Sequence, residues 1–259
     1  MYIDTHAHLY LEQFEEDIDL LIELILEAEV NHVYLPNVDS STYESMMELA
    51  GEYPEMLHPM IGVHPCSIKE NYKDELKFAR EKLESEKFVG IGEIGIDLHW
   101  DKTFHKEQKE AFETQIEWSR EMGLPFVIHS REALDETIET VTRMQDGNLK
   151  GIFHCFNGTE EQANKIKDVG FLIGIGGVIT YKNAGVKEEL INLPLDMMVL
   201  ETDSPYLSPT PFRGKRNQSN YIPIIAEQLA VTLDEKLEKV KEVTTKNALD
   251  LFNTPIFKK

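Results

Sequence analysis

Tyr2-Ile-Asp-Thr-His-Ala-His-Leu9 opens the chain. Tyr2–Asp4 is a strand candidate. Side chains of an extended segment alternate with period two, so His6 and His8 project to one side. Both imidazoles then leave the C-terminal end of that strand together, a geometry suited to chelating a divalent metal. Alone, His-x-His is a weak signal. Next comes Phe14–Ala28, with Ile18, Leu21, Ile22 and Ile25 at helical spacing. The chain therefore begins as a strand followed by a helix.

The same alternation continues to the C-terminal third. Further strand candidates lie near His32–Pro36, Leu57–Ile61, Phe88–Ile91, Pro125–Ile128, Gly151–Phe153, Phe171–Ile175 and Met197–Leu200. Gln108–Glu121 and Glu132–Met144 repeat the helical pattern between them. Eight strands followed by helices imply a parallel sheet with right-handed crossovers. Spread over 259 residues this is about 32 per unit, the size of a (β/α)8 TIM barrel. A doubly wound sheet is the competing fold, but no Gly-x-Gly-x-x-Gly follows the first strand. No linker, low-complexity tract or repeat interrupts residues 1–259, so one domain is expected. Of two C-terminal helical patterns, Tyr221–Val231 and Glu235–Phe252, one should complete the outer layer and the other should cap the barrel.

Composition narrows the function classes. There is no apolar run of membrane-spanning length and no signal-peptide pattern. Cys66 and Cys155 are the only cysteines, too few for a disulfide framework, which fits a reducing compartment. The expectation is a soluble, cytoplasmic protein with two free structural thiols. Forty-seven acids against 26 bases leave a net charge of −21. Such a surface repels polyanions at long range, so nucleic-acid chemistry would depend on a local site or on bound cations rather than a basic groove.

In a (β/α)8 barrel the chemistry sits at the C-terminal strand ends. Those ends carry His6 and His8 after strand 1, His64 after strand 3 and Glu93 after strand 4. His129 follows strand 5, His154 strand 6 and Asp203 strand 8. A single strand-end histidine is more often a half-buried hydrogen-bonding residue than a ligand. Their joint placement at one rim is the signal. Chemically, His6, His8 and Asp203 suit one cation, His129 and His154 another, and Glu93 can bridge with its two oxygens. Imidazole and carboxylate donors accommodate Zn, Mn, Ni or Fe, while Mg prefers more oxygen. Two dications against Glu93 and Asp203 leave two positive charges, which a hydroxide and one phosphodiester oxyanion would neutralise. The sum leans towards phosphate.

Taken together, Asp4-Thr-His-Ala-His-Leu9, Ile61-Gly-Val-His-Pro65, Gly92-Glu-Ile-Gly-Ile-Asp97, Ile128-His-Ser-Arg-Glu-Ala133, His154-Cys-Phe156 and Glu201-Thr-Asp-Ser-Pro-Tyr-Leu207 resemble the TatD family of metal-dependent deoxyribonucleases. Pro211-Phe-Arg-Gly-Lys-Arg-Asn217 resembles that family's loop. The resemblance spans nearly the whole chain in the expected order. It implies a metal-dependent barrel hydrolase related to amidohydrolases, often with 3′-exonuclease activity on DNA. Some family members lack the first His-x-His, which this chain keeps, so a two-metal site is implied. At matching positions the family's pattern gives His6, His8, Glu93, His129, His154 and Asp203 to the metals and places a phosphate-contacting histidine at His64. Asp203 would also accept a proton from the attacking water; its alternative is a structural cap of the next turn. Gln218-Ser219 and Leu98-His99 depart from the family, which bears on substrate preference.

Arg213, Lys215 and Arg216 form a basic cluster after strand 8. Arginine offers planar, bidentate hydrogen bonding to phosphate, so phosphate recognition is the preferred role, against a solvated loop. Arg131 either reaches the same space or makes a structural salt bridge. Tyr206, Phe212 and Trp100 could stack on a base, although for each alone packing against protein is the commoner role. Gly174-Ile-Gly-Gly177 lacks the Gly-Lys-Ser/Thr of a P-loop, so ATP is not expected. His32, His58, His99 and His105 read as ordinary, partly exposed residues, and Lys236–Lys241 as a solvated helix face.

The expected activity is hydrolysis of phosphodiesters, at DNA 3′ ends or in small molecules, by water activated with two divalent metal ions. Glu93 and Asp203 would be the catalytic carboxylates; His64, Arg213, Lys215 and Arg216 would hold the substrate. An amidohydrolase, lactonase or aminoacyl-ester hydrolase could use the same residues on a carbonyl. A metal-stabilised binding module without turnover is the third reading.

Overall fold

A computed structural model describes residues 1–254. Eight strands run in sequence: β1 (Tyr2–Asp4), β2 (Val30–Pro36), β3 (Leu57–Met60), β4 (Ile91–Asp97), β5 (Phe126–Arg131), β6 (Gly151–Phe153), β7 (Leu172–Ile175) and β8 (Met198–Leu200). The helices are α1 (Ile18–Glu27), α2 (Tyr43–Glu52), α3 (Tyr72–Ser85), α4 (His105–Met122), α5 (Leu134–Met144), α6 (Glu160–Asp168), α7 (Val186–Leu190), α8 (Ile222–Leu233) and α9 (Leu237–Phe252). All strand pairs are parallel, in ladders β1-β2-β3 and β4 to β8. Single bridges, Ile61 with Ile91 and Ala7 with Ser204, join the two ladders into a (β/α)8 TIM barrel.

Strand alternation explains the layering. Val33, Leu35, Phe126, Ile128, Met198 and Leu200 face the helices. Their neighbours Tyr34, Val127 and Val199 point into the barrel, with Ile3, Met60 and Ile152. This interior is closed from below by α9, whose Ala248, Leu249, Leu251 and Phe252 belong to the same apolar cluster. Phe252 stacks on Tyr34 at 4.0 Å, and the Tyr34 hydroxyl pairs with Thr254 Oγ1 at 2.6 Å. The C-terminal pattern therefore supplies the barrel's floor, while α8 is the helix that follows β8.

Two sequence expectations need correction. Strand 4 was expected at Phe88–Ile91 but lies at Ile91–Asp97, because Gly92 and Gly95 break the apolar run that marked it. Its register slips between Ile91 and Ile94, which turns Glu93 into the barrel while Ile94 and Ile96 face the helices. A Cβ at Gly95, whose φ is 145°, would sit 2.0 Å from the His129 carbonyl oxygen, so only glycine lets β4 and β5 meet here. Secondly, His32 and His58 are buried, not partly exposed. Both point inward near the barrel floor and satisfy each other, Nδ1 to Nε2, at 2.8 Å. His99 and His105 are half-exposed, against Glu132 and Glu136 respectively.

Candidate active site

The seven residues singled out at the strand ends converge. His6 and His8 lie just past β1, His64 four residues past β3, His154 directly after β6 and Asp203 three residues past β8. Glu93 and His129 lie inside β4 and β5 rather than beyond them, since both strands run further than their apolar runs suggest. Backbone bonds stitch the first and last strands at this point: Asp203 N–H to the His6 carbonyl and His8 N–H to the Ser204 carbonyl, both at 2.8 Å. The buried Asp4 carboxylate reinforces the seam by accepting from His6 N, Thr202 N and Thr202 Oγ1.

Glu93 is at the centre, 2% exposed. Its Oε2 lies 3.1 Å from His6 Nε2 and 3.5 Å from His8 Nε2. Its Oε1 lies 2.7 Å from His129 Nδ1, 2.9 Å from His154 Nε2 and 3.4 Å from His64 Nε2. Asp203 Oδ1 completes the first group, 3.8 Å from His6 Nε2 and 3.7 Å from His8 Nε2, which are themselves 3.2 Å apart. Two donors each about 2.1 Å from one ion, at angles of about 90–110°, are about 3.0–3.4 Å from one another. The spacings here, 2.7–3.8 Å, bracket that range, so the donor set fits a divalent cation with small adjustments.

The outer contacts sort the histidines by tautomer. His129 Nε2 lies 2.9 Å from Asp97 Oδ2, an acceptor, so it carries the proton and Nδ1 faces Glu93 bare in the neutral ring. His64 is the reverse: its Nδ1 accepts from Cys66 N at 3.0 Å, so Nε2 carries the hydrogen and points inward as a donor. Its place beside Glu93 and His129 in a ligand-like cluster is therefore not a ligand's place. His154 Nδ1 lies 3.6 Å from Glu201 Oε1, just outside hydrogen-bonding distance, and its ring stacks on that of His6 at 4.0 Å. Glu201 is fully buried and accepts from Cys155 N–H.

Electrostatics follow from packing so many ionisable groups together. Burial alone would raise the Glu93 carboxyl, but His154, His64 and His6 hold it well below the ordinary range. Burial would lower His154 and His129; Glu93 with Glu201 and Asp97 with Glu93, respectively, raise them instead. For His6 and His64 burial wins and both are lowered. Burial pushes the Asp203 carboxyl up to about 6. Cys66 and Cys155 are unpaired thiols that burial pushes up to about 12, so both stay protonated.

The basic cluster separates into two kinds. Arg216 is committed to structure, correcting its expected place on the substrate. It makes a bidentate pair with Asp17 at 2.7 Å, donates to the Gln13 carbonyl and covers the Phe14 ring. Arg213 and Lys215 are exposed and have no carboxylate partner among the described residues. Arg213 lies over the Tyr181 ring at 4.0 Å. Arg131 makes no salt bridge among the described residues; it lies over Trp100 at 5.2 Å. Phe212 is stacked on Tyr221, whereas Trp100 and Tyr206 stay 71% and 51% exposed at the rim. Sequence reasoning missed Asn217, a buried amide that donates to the Thr202 and Tyr206 carbonyls at 2.6 Å and ties the basic loop to the Asp203 segment.

A parallel barrel whose rim gathers imidazoles around one buried carboxylate is built like a metal-assisted hydrolase. Sequence comparison agrees. The model of the family described as TatD related DNase matches residues 3–253, and the chain belongs to that family. It is 37% identical over 253 residues to YabD of Bacillus subtilis (strain 168), named an uncharacterized metal-dependent hydrolase, covering 97% of this chain and 99% of that one. It is 31% identical to YcfH of Escherichia coli (strain K12), which carries the same description, over 97% and 95% of the two chains. The crystal structure of YjjV, a TatD homologue from Escherichia coli K12, superposes with a TM-score of 0.92 at 27% identity, covering 98% of each chain. Among the described residues no helix is long and apolar enough to cross a membrane.

Proposed function

We propose that this chain is a one-domain, cytoplasmic metal-dependent hydrolase that cleaves phosphodiester bonds, at DNA 3′ ends or in small phosphodiesters, with two divalent cations. The observation that carries this reading is the division of Glu93: Oε2 faces His6 and His8, while Oε1 faces His129 and His154. One carboxylate thus serves two donor groups. His6, His8, Asp203 and Glu93 Oε2 would hold one cation; His129, His154 and Glu93 Oε1 would hold the other. Bound there, divalent cations would supply Lewis acidity towards phosphoryl oxygens and would make a coordinated water acidic near neutral pH.

The protein's own groups do the rest. Asp203, 15% exposed at its side chain, would accept the water's proton at its carboxylate. His64 Nε2–H, which lies 3.2 Å from His129 Nδ1 in the metal-free protein, would serve as a hydrogen-bond donor to a phosphoryl oxygen. Arg213 and Lys215, cations without a protein counter-charge, would attract the phosphate, and Arg216 with Asn217 would hold their loop in place. This uncompensated pair favours a phosphodiester over an ester or amide.

The test is metal reconstitution with Zn, Mn, Ni, Fe or Mg, followed by turnover of end-labelled single- and double-stranded DNA, RNA and small carboxylic esters and amides. Shortening of DNA from its 3′ end that stops on chelation supports the proposal. Faster turnover of carboxylic esters or amides would replace it with the carbonyl reading. Metal binding with no turnover of any substrate would leave a binding module.

A further inference from the structure

Tyr10 lies beside the site without being one of its expected members. It is 5% exposed, and its ring meets His8 edge-on, with centroids 5.8 Å apart. Its hydroxyl is 2.5 Å from the Pro36 carbonyl oxygen, at the end of β2, and 2.8 Å from His8 Nδ1. A phenol has one hydrogen to give and lone pairs to receive. The Pro36 carbonyl can only accept, so it takes that hydrogen. The second contact must then run the other way, from His8 Nδ1–H to the Tyr10 oxygen.

We infer that Tyr10 is a positioning residue that fixes the tautomer and ring orientation of His8, leaving Nε2 bare and aimed between His6, Glu93 and Asp203. The opposite tautomer would set two hydrogen-free acceptors 2.8 Å apart and would present Nε2–H where a cation must bind. Outer hydrogen bonds of this kind usually come from a carboxylate or a backbone carbonyl. Here a neutral phenol relays the Pro36 carbonyl to the imidazole, adding no charge to a site that already holds Glu93 and Asp203. The metal consequence rests on the proposed reading of His8 as a ligand; the tautomer itself does not.

The tautomer is read in the metal-free protein, at a pH where His8 is neutral, by long-range proton–nitrogen correlation NMR. His8 signals are assigned by their loss in His8→Gln. The expected pattern is Nδ1–H in the wild type and a shift towards Nε2–H in Tyr10→Phe. The zinc dissociation constant of that variant, measured by chelator competition, should rise about 10- to 100-fold. An Nε2–H tautomer in the wild type overturns the inference, and this measurement needs no variant to fold. A Tyr10→Phe protein that keeps both the Nδ1–H pattern and wild-type zinc affinity also overturns it. Zinc bound as tightly by His8→Gln as by the wild type would instead remove His8 from the ligand set, while the tautomer in metal-free protein still decides the role of Tyr10.

Discussion

The Glu201 carboxylate fills the space that a side chain on Gly174 would need: a Cβ built there would stand 2.0 Å from Glu201 Oε2. This explains Gly174, the first glycine of the Gly174-Ile-Gly-Gly177 run, without any phosphate. The missing Cβ on β7 lets a buried carboxylate from the end of β8 reach under His154. Gly174→Ala should therefore displace Glu201, costing about 1–3 kcal/mol of stability through overpacking. It should also weaken metal binding about 10- to 100-fold. Urea unfolding and chelator competition measure the two effects. In Gly174→Ala/Glu201→Ala the clash disappears, so the stability losses should be strongly non-additive. Wild-type values for Gly174→Ala would show that Glu201 does not orient His154.

Much of this site was legible in the sequence because the barrel turns strand position into spatial position. Six candidates chosen as ligand-type residues near strand ends gather around the seventh, Glu93. The groups behind them were harder to see. Tyr10 is two residues past His8, Asp97 is four past Glu93 and Glu201 is two before Asp203, so each has the same parity as its neighbouring candidate. Continuing the period of two along β4 would have found Asp97; Tyr10 sits in a turn and Asp203 has φ 57°, so no strand period leads to Tyr10 or Glu201. What parity cannot show is which histidine each group serves: Glu201 reaches His154, 47 positions away in numbering, only through the β6-β7-β8 ladder. Arg216 was misread for a similar reason, since Asp17 is distant in sequence and adjacent only in the closed barrel.

Asp203→Asn should separate metal binding from turnover. The amide oxygen can still face His6 and His8, but it accepts no proton. A fall in kcat of about 10²–10⁴-fold is expected, the range for a general acid–base group, with the cations retained. Metal analysis and steady-state kinetics test this together. A variant with near-normal kcat would exclude Asp203 from proton transfer.

The same carboxyl gives the metal-free protein a pH signature. Burial raises it from 3.8 to about 6 in the fold. A carboxyl raised in this way stabilises the fold fully below its unfolded value, and that contribution is lost as pH rises through the folded value. Metal-free Asp203→Asn should therefore gain stability over the wild type above pH 6, with the gap closing towards pH 4. At about 1.4 kcal/mol for each tenfold change, the gap is at most about 3 kcal/mol. Urea unfolding across that range checks it; a gap that widens on acidification would reverse the sign.

Protons and cations compete for the same atoms, so metal affinity should fall with pH. Asp203 near 6, with His129 and His154 raised by their carboxylate neighbours, must all release protons before ligating. The zinc or manganese dissociation constant should increase by at least about tenfold as pH drops from about 7.5 to 5.5. Isothermal titration in buffers of different ionisation enthalpy would also count the protons released. A constant independent of pH would mean that these residues do not ligate as proposed.

With a net charge of −21, the chain repels a polyanion at long range, so substrate capture falls to local cations such as Arg213 and Lys215, which are exposed in the loop after β8 and have no carboxylate partner among the described residues. Neutralising two phosphates of a single strand gives a slope of about −1.4 for log affinity against log salt. Removing either cation should raise KM and flatten that slope by about 0.7 while leaving kcat close to wild type. Arg216→Ala should behave differently. Its exposed pair with Asp17 is worth up to about 1 kcal/mol, so its loss should lower thermal stability slightly and loosen the loop without changing the salt slope. KM measured against salt for the three variants distinguishes the roles. A slope steeper than about −4 in the wild type would mean contacts with six or more phosphates, and the two-cation account of substrate capture would fail.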